Sequence, residues 1–328
     1  MKHRIIALCA ALVLSLGLGA CGHTETTNPI GEGKTYQTTT TTTTAEQTEP
    51  KDTNAPTEAE ETTIEVTEEP IVEVTEVVDT GIPTLEPTVI VDQDGVKITA
   101  MEMTEDWIWG LGVKLLIENN TDRDLVFSAD YLVVNNYMIT DLFVNTVAAG
   151  KKTNETLNLS SGELEEAGIN SIGEIAFAMR VYDDETWDDL FTTDEIILKT
   201  SAYDTSEVVK IDEGYELLNT DGIRIVARHL ETDSIWGAGI HLFIENTRED
   251  KVSISVDDLS INGFMVTSFF SSSIQPGRYA LDDITIMSSD LEENDIEEIV
   301  DIELIFVIRN SDSYDLIHES PPIAFSVQ

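Results

Sequence analysis

Chemistry in this chain would have to come from carboxylates, because few other reactive groups are present. Among 328 residues, 63 are Asp or Glu, against 18 Lys or Arg, five His and two Cys. The densest polar run is Asp183-Asp184-Glu185-Thr186-Trp187-Asp188-Asp189. Closely spaced carboxylates on one loop could coordinate Ca²⁺, which takes about six to eight oxygen ligands. Asp183, Asp184, Asp188 and Asp189 are the candidate metal ligands, although EF-hand spacing is absent. A solvated hairpin loop is the plainer reading, since the related run Asn310-Ser311-Asp312-Ser313-Tyr314-Asp315 keeps fewer charges.

Histidines are sparse, and His229, His241 and His318 all fall in the C-terminal third. No nucleophile elbow, phosphate loop or zinc-type spacing accompanies them. The chain therefore reads as a non-enzyme with no resident cofactor. Exposed aromatic rings are the other candidate: Trp107, Trp187 and Tyr314 could stack on the faces of sugars or pack against a protein partner. Packing at the rim of the fold is the alternative for the last two. Trp109 and Trp236 each precede an apolar alternating stretch, so core packing is expected for both.

The positions of these residues are governed by a repeat. Asp94-Gly95-Val96-Lys97-Ile98 returns as Asp221-Gly222-Ile223-Arg224-Ile225, 127 residues later. Ile108-Trp109-Gly110 returns as Ile235-Trp236-Gly237, and Ile117-Glu118-Asn119 as Ile244-Glu245-Asn246, in the same register. A register held this long marks a duplicated domain, because stacked arrays use units of about 20–50 residues. Histidine positions are not shared: Lys114 stands opposite His241, which removes a common acid–base group.

Each copy reads as strands. Asp94-Gly95 and Asp221-Gly222 are two-residue hairpin turns between apolar runs. Val113, Leu115 and Ile117 alternate with polar neighbours, as do Ile240, Leu242 and Ile244. Asn135-Asn136 and Asn262-Gly263 mark a second hairpin that needs positive φ. A short helix is expected near 163–167 and again near 290–294, with Ser289 and Glu292 at capping-box spacing. Seven or eight short strands per copy describe an all-β protein: two tandem antiparallel Ig-like β-sandwiches, at 88–200 and 208–328, with a linker at 201–207.

Residues 1–20 read as an export signal, with Lys2, His3 and Arg4 ahead of the apolar stretch from Ile5 to Leu18. Leu18-Gly19-Ala20-Cys21 resembles the lipobox of bacterial lipoproteins, which implies diacylation of Cys21. Cys9 would leave with the signal, so no internal disulfide is expected. Residues 21–87, with seven consecutive threonines at 38–44 and many Glu and Pro, read as a disordered tether. Its reach would be about 45 Å. The net charge of −45 argues against nucleic-acid binding, where a basic face displaces counterions.

The motifs Ile108-Trp109-Gly110, Ile117-Glu118-Asn119-Asn120-Thr121 and Val134-Asn135-Asn136-Tyr137-Met138 resemble a type seen in duplicated, uncharacterised lipoproteins of Gram-positive anaerobes. These are similar to Ig-like immunoprotective extracellular antigens. The resemblance implies a non-catalytic surface β-sandwich and assigns no site residue. The expected protein is thus lipid-anchored on the outer face of the cytoplasmic membrane, extends into the cell wall, and binds an unknown surface protein or glycan. A structural stalk and a glycan-binding accessory protein are the competing roles.

Overall fold

The computed structural model describes residues 27–29, 81–140, 142–234 and 236–327. The expected leader, Cys21 and most of the expected tether lie outside the described residues. An isolated strand, β1 (Thr27–Pro29), comes first. The first sandwich begins with β2 (Thr88–Gln93), β3 (Val96–Asp106), β4 (Gly110–Asn119) and β5 (Leu125–Val134). It continues through β6 (Tyr137–Ile139), β7 (Val144–Val147), β8 (Lys152–Asn158) and the helix α1 (Ser161–Glu166). It ends with β9 (Glu174–Asp183), β10 (Asp189–Thr192) and β11 (Ile196–Lys199).

The second sandwich has β12 (Tyr215–Thr220), β13 (Ile223–Ser234), β14 (Gly237–Asn246), β15 (Val252–Ile261) and β16 (Phe264–Met265). Then come β17 (Ser268–Phe269), β18 (Ser271–Ile274), β19 (Tyr279–Met287) and α2 (Ser288–Glu293). β20 (Asp301–Asn310), β21 (Leu316–Glu319) and β22 (Ile323–Ser326) close the chain. Each element of the first sandwich has a counterpart starting 127 residues later; among the described residues β17 is the one addition. The all-β expectation holds, and both halves share one topology.

Local rules explain the hairpins. Asp94 and Gly95 have φ of 50° and 81°, and Asp221 and Gly222 have 49° and 81°, the paired positive values of a turn that matches strand twist. Asn135 and Asn136, at 45° and 78°, make the second hairpin. Asn135 Oδ1 then accepts from the Gly173 and Glu174 N–H groups at 2.8 and 3.0 Å, stapling the turn to β9. Asn262 does the same with Val300 and Asp301.

Val113, Leu115 and Ile117 are fully buried, as are Ile240, Leu242 and Ile244. The expected helices start at Ser161 and Ser288, slightly earlier than read. The capping box is not formed: α2 begins after Met287 without a side-chain cap, since Ser289 already lies inside the helix.

In the first sandwich one sheet runs β2-β3-β4-β8 and the facing sheet centres on β5 and β9. In the second, β12, β13, β14 and β19 face β15, β20 and their neighbours. The two halves are not independent beads. β6 pairs in parallel with β19 at Tyr137 and Tyr279, which joins sheets from both halves. Val226 and Phe243 of the second half complete the first core, while Met138 packs on the second. Tyr137 O–H donates to the Val209 carbonyl at 2.6 Å and accepts from Ile211 N–H at 2.9 Å, tying down a linker that runs to residue 214.

The expected free tether needs one correction. Thr27–Pro29 pairs antiparallel with Glu231, Leu230 and His229 of β13. β12 covers only the Ile223–Ala227 part of that edge, so unsatisfied backbone groups beyond it recruit another strand.

Candidate functional site

A cleft of about 800 Å³ opens in the first sandwich, between β7 and β8 and beneath the tip joining β3 to β4. The tip is built from the sequence upward. Asp106 Oδ1 accepts from the N–H groups of Ile108 and Trp109 at 2.8 and 3.1 Å. Gly110, at φ 74°, then turns the chain back so closely over α1 that a Cβ would come within 3.0 Å of Ser161 Cβ. The tip therefore presents its indole rings to solvent. Trp107 is 91% exposed and Trp109 is 62% exposed. Across the cleft, Leu142 is 89% exposed beside the exposed Val144.

The lining is amides, hydroxyls and carboxylates: Asn145, Asn154, Thr156, Asn158, Ser160 and Ser161, with Glu105, Asp106, Glu155 and Glu163. No Lys or Arg lines it. Glu163 Oε2 is already engaged by Thr140 N–H at 2.7 Å. The arrangement offers neutral hydrogen bonding, apolar stacking surface and negative potential. It suits an uncharged or cationic ligand and disfavours an anionic one.

The second sandwich shows what closes such a cleft. Asp290 Oδ2 holds Thr267 N–H at 2.8 Å, matching the Glu163–Thr140 contact. Beyond that point β17 pairs with β19, Ser268 with Ile286 and Phe269 with Thr285. In the first sandwich β8 pairs only with β4, among the described residues. At the other end of β19, Met138–Thr140 of the first sandwich lie over Ser271–Ser273.

Trp109 and Trp236 correct the expectation of core packing: both are exposed, because the hairpin tip carries them past the sheet edge. Trp107 is the expected solvent-facing ring. Trp187 and Tyr314 are exposed, but on the β9–β10 and β20–β21 turns, away from the cleft lining. Trp187 stacks on Tyr182 with ring centroids 5.7 Å apart, and Arg180 covers the same Tyr182 ring.

The acidic loop is organised as a turn. Asp183 Oδ1 accepts from Thr186 and Glu185 N–H groups, both at 3.0 Å, and Oδ2 faces Arg123. The Thr186 N–H bond leads in holding its carboxyl below the usual range. Asp189 pairs with Arg180 at 2.6 Å and Asp184 takes the Thr146 hydroxyl at 3.5 Å, while Asp188 N–H donates to Thr186 Oγ1. The carboxylates of Asp183, Asp184 and Asp189 are divided among separate partners. No group of three metal-ligating side chains occurs among the described residues. Asn310 fills the Asp183 role in the second sandwich, accepting from Asp312 and Ser313 N–H groups at 2.9 Å.

Sequence reasoning missed the cleft wall: Leu142, Val144 and the polar face of β8. The repeat did carry a signal, since Asn154, Thr156 and Asn158 stand where the second copy has Leu281, Asp283 and Thr285.

A second polar cluster joins the halves. His241 Nδ1 lies 2.7 Å from Asp283 Oδ1 and 3.8 Å from Glu166 Oε1, off the line of a straight hydrogen bond. Its Nε2 is 3.3 Å from Glu231. Arg228 also pairs with Glu166, at 2.9 Å, and His229 stacks on His241 at 4.1 Å. Burial alone would lower His241, but Asp283, Glu166 and Glu231 overcome it and hold the ring up to about 10. Burial, then the charges of His241 and Arg228, push His229 down to about 4.

No family model matches the chain, and no curated protein does. Among solved structures it is similar to the YadV chaperone, at 15% identity over 64% of this chain and 90% of that one, with a TM-score of 0.21. The SafA pilin in complex with the SafB chaperone from Salmonella enterica gives 12% identity, 72% and 98% coverage, and a TM-score of 0.22. A protein of unknown function from Porphyromonas gingivalis W83 gives 11%, 73%, 94% and 0.17. At such scores nothing about binding or assembly passes from these proteins to this chain.

Proposed function

We propose that the chain is a lipid-anchored, extracellular binding protein, and that its ligand enters the cleft of the first sandwich. The observation that carries this is the exposed apolar rim, Ile108, Trp109, Leu142 and Val144 around a polar-lined cleft, with exposed Trp107 next to it in the chain. A spacer would be polar all round, whereas clustered exposed apolar groups beside a concavity are what binding sites use. A glycan-binding role gains support from the same rim, since exposed Trp109 lines the cleft together with amide and hydroxyl groups.

With Cys21 as the acylated residue, β1 sets the geometry at the membrane. Thr27 is six residue steps from Cys21, an extended span of about 20 Å at most. The second sandwich, which holds β1, would thus lie near the bilayer. Cys21→Ser should abolish incorporation of a fatty-acid label into the protein; undiminished labelling would refute the anchor.

The cleft is tested with a photo-crosslinking amino acid at position 142, in the full chain on the cells that make it. A discrete adduct is expected, and Trp109→Ala should reduce it at least tenfold. Equal labelling from a probe at exposed Val89, or no loss with Trp109→Ala, would refute a ligand site there.

A further inference from the structure

We infer that the protein associates with itself head to tail: the second sandwich of one molecule docks on the first sandwich of a neighbouring molecule. The template is the contact already made inside the chain. There the β5–β6 hairpin sets Tyr137 in one core with Val226 and Phe243 and against Tyr279 of the second sandwich, while Met138 packs on that sandwich's own core. Glu174 and Glu195 meet Arg278 at 3.7 and 2.9 Å. Glu166 meets Arg228 and His241.

Each side of that contact exists a second time and is uncovered. The hairpin counterpart is Phe264 and Met265, 47% and 62% exposed. The receiving face has its counterpart on β4 and β8 of the first sandwich. Charges are preserved across the repeat in part: Arg228 and Glu195 become Met101 and Pro322, which removes two of the four ion pairs. Glu166 and Glu174 become Glu293 and Asp301, whereas His241 and Arg278 become Lys114 and Lys151. Lys152, in place of Tyr279, adds another cation.

Complementary charge on the two ends of a strongly acidic chain selects end-to-end contact over other collisions. Side-by-side encounters would oppose like charges. The contact is heterologous, so its repetition gives open chains and no closed pair.

The intermolecular version is weaker than the internal one. Val226, Phe243 and Leu281 are replaced by Thr99, Leu116 and Asn154, which leaves less apolar surface to bury. The Lys251–Asp130 pair, at 3.9 Å, would become Asp124 facing Asp257. Association is therefore reversible and suited to molecules concentrated on a surface. It leaves the Trp107–Trp109 tip free, because Gly112 pairs with Asn158 at one end of β8 while docking occurs at the Lys152 end. The docking face shares Asn154 with the cleft lining, so the two contacts meet on β8.

Cysteine crosslinking of the full chain in non-ionic detergent tests it, with Cys9 and Cys21 both replaced by Ser to remove the native thiols. Lys152→Cys and Met265→Cys in the same molecule should give a ladder of multimers on oxidation. Mixing the two single variants should stop at dimers. Lys151→Glu or Asp301→Lys should each cut the ladder roughly tenfold, and combining both in one chain should restore it. Both positions are exposed, so unchanged melting temperatures will separate lost contact from lost folding. A product that stops at dimers in the double-cysteine chain, a ladder indifferent to charge reversal, or monomers throughout would each overturn the inference.

Discussion

Asn119 shows how one polar side chain is used when a fold has no disulfide. It is fully buried, and its amide donates to the Arg123 and Val147 carbonyls at 2.9 and 2.8 Å. Its Oδ1 accepts from Thr121 N–H and Oγ1. Asn246 is buried in the same way. Asn119→Ala should cost about 2–3 kcal/mol by urea unfolding, because buried backbone carbonyls lose their partners. Tyr314 behaves oppositely: it is exposed and holds φ 61°, a value bulky residues avoid. Tyr314→Gly should stabilise by about 0.5–1 kcal/mol. Trp187→Gly should gain less, since Trp187, at φ 65°, recovers energy by stacking on Tyr182. That difference was not legible in the sequence, where the two rings occupy matching positions.

Among elements, the decisive contrast is β17, which has no counterpart among the described residues of the first sandwich. Strand closure over β19 depends on the tip at Gly237, whose φ is 135° and whose α-hydrogen faces the backbone of Ile286 and Ser288. Gly237→Ala should destabilise the second sandwich by more than about 2 kcal/mol, because backbone atoms cannot move aside. Gly110→Ala meets only the Ser161 side chain at 3.0–3.3 Å and should cost less, its penalty coming from φ. Differential melting of the two variants checks the order. Strand positions were legible from alternation, because period-two burial is local. The cleft was not, because it depends on which strand finds a partner across the sandwich edge.

For the whole molecule, the His229–His241–Glu166 cluster couples the union of the halves to pH. His241 is raised, so its stabilisation is complete below about pH 6.5 and is lost as pH rises through about 10. His229 is lowered, so its contribution is complete above about pH 6.5 and is lost as pH falls through about 4. Glu166 is lowered chiefly by the His241 ring beside it, then by Arg228 against the opposing effect of burial, and adds to the loss on the acid side. These groups together place their best stability near pH 6.5. Melting temperature against pH should flatten on the alkaline side in His241→Gln and on the acid side in His229→Gln. A parallel shift of the whole curve in either variant would show that the cluster carries no linked proton. The sequence showed His241 opposite Lys114, but not that both histidines would stack at the seam.

Sequence alone determined the strands, the turn chemistry and the doubling, because side-chain alternation and positive-φ residues act over a few neighbours. It also supplied the export and acylation expectation, which depends on a linear motif. Tertiary structure decided which faces stay bare. The outward tryptophans, the unpaired edge of β8 and the seam joining the halves all arise from contacts between residues far apart in the chain, where burial is settled by what happens to arrive opposite.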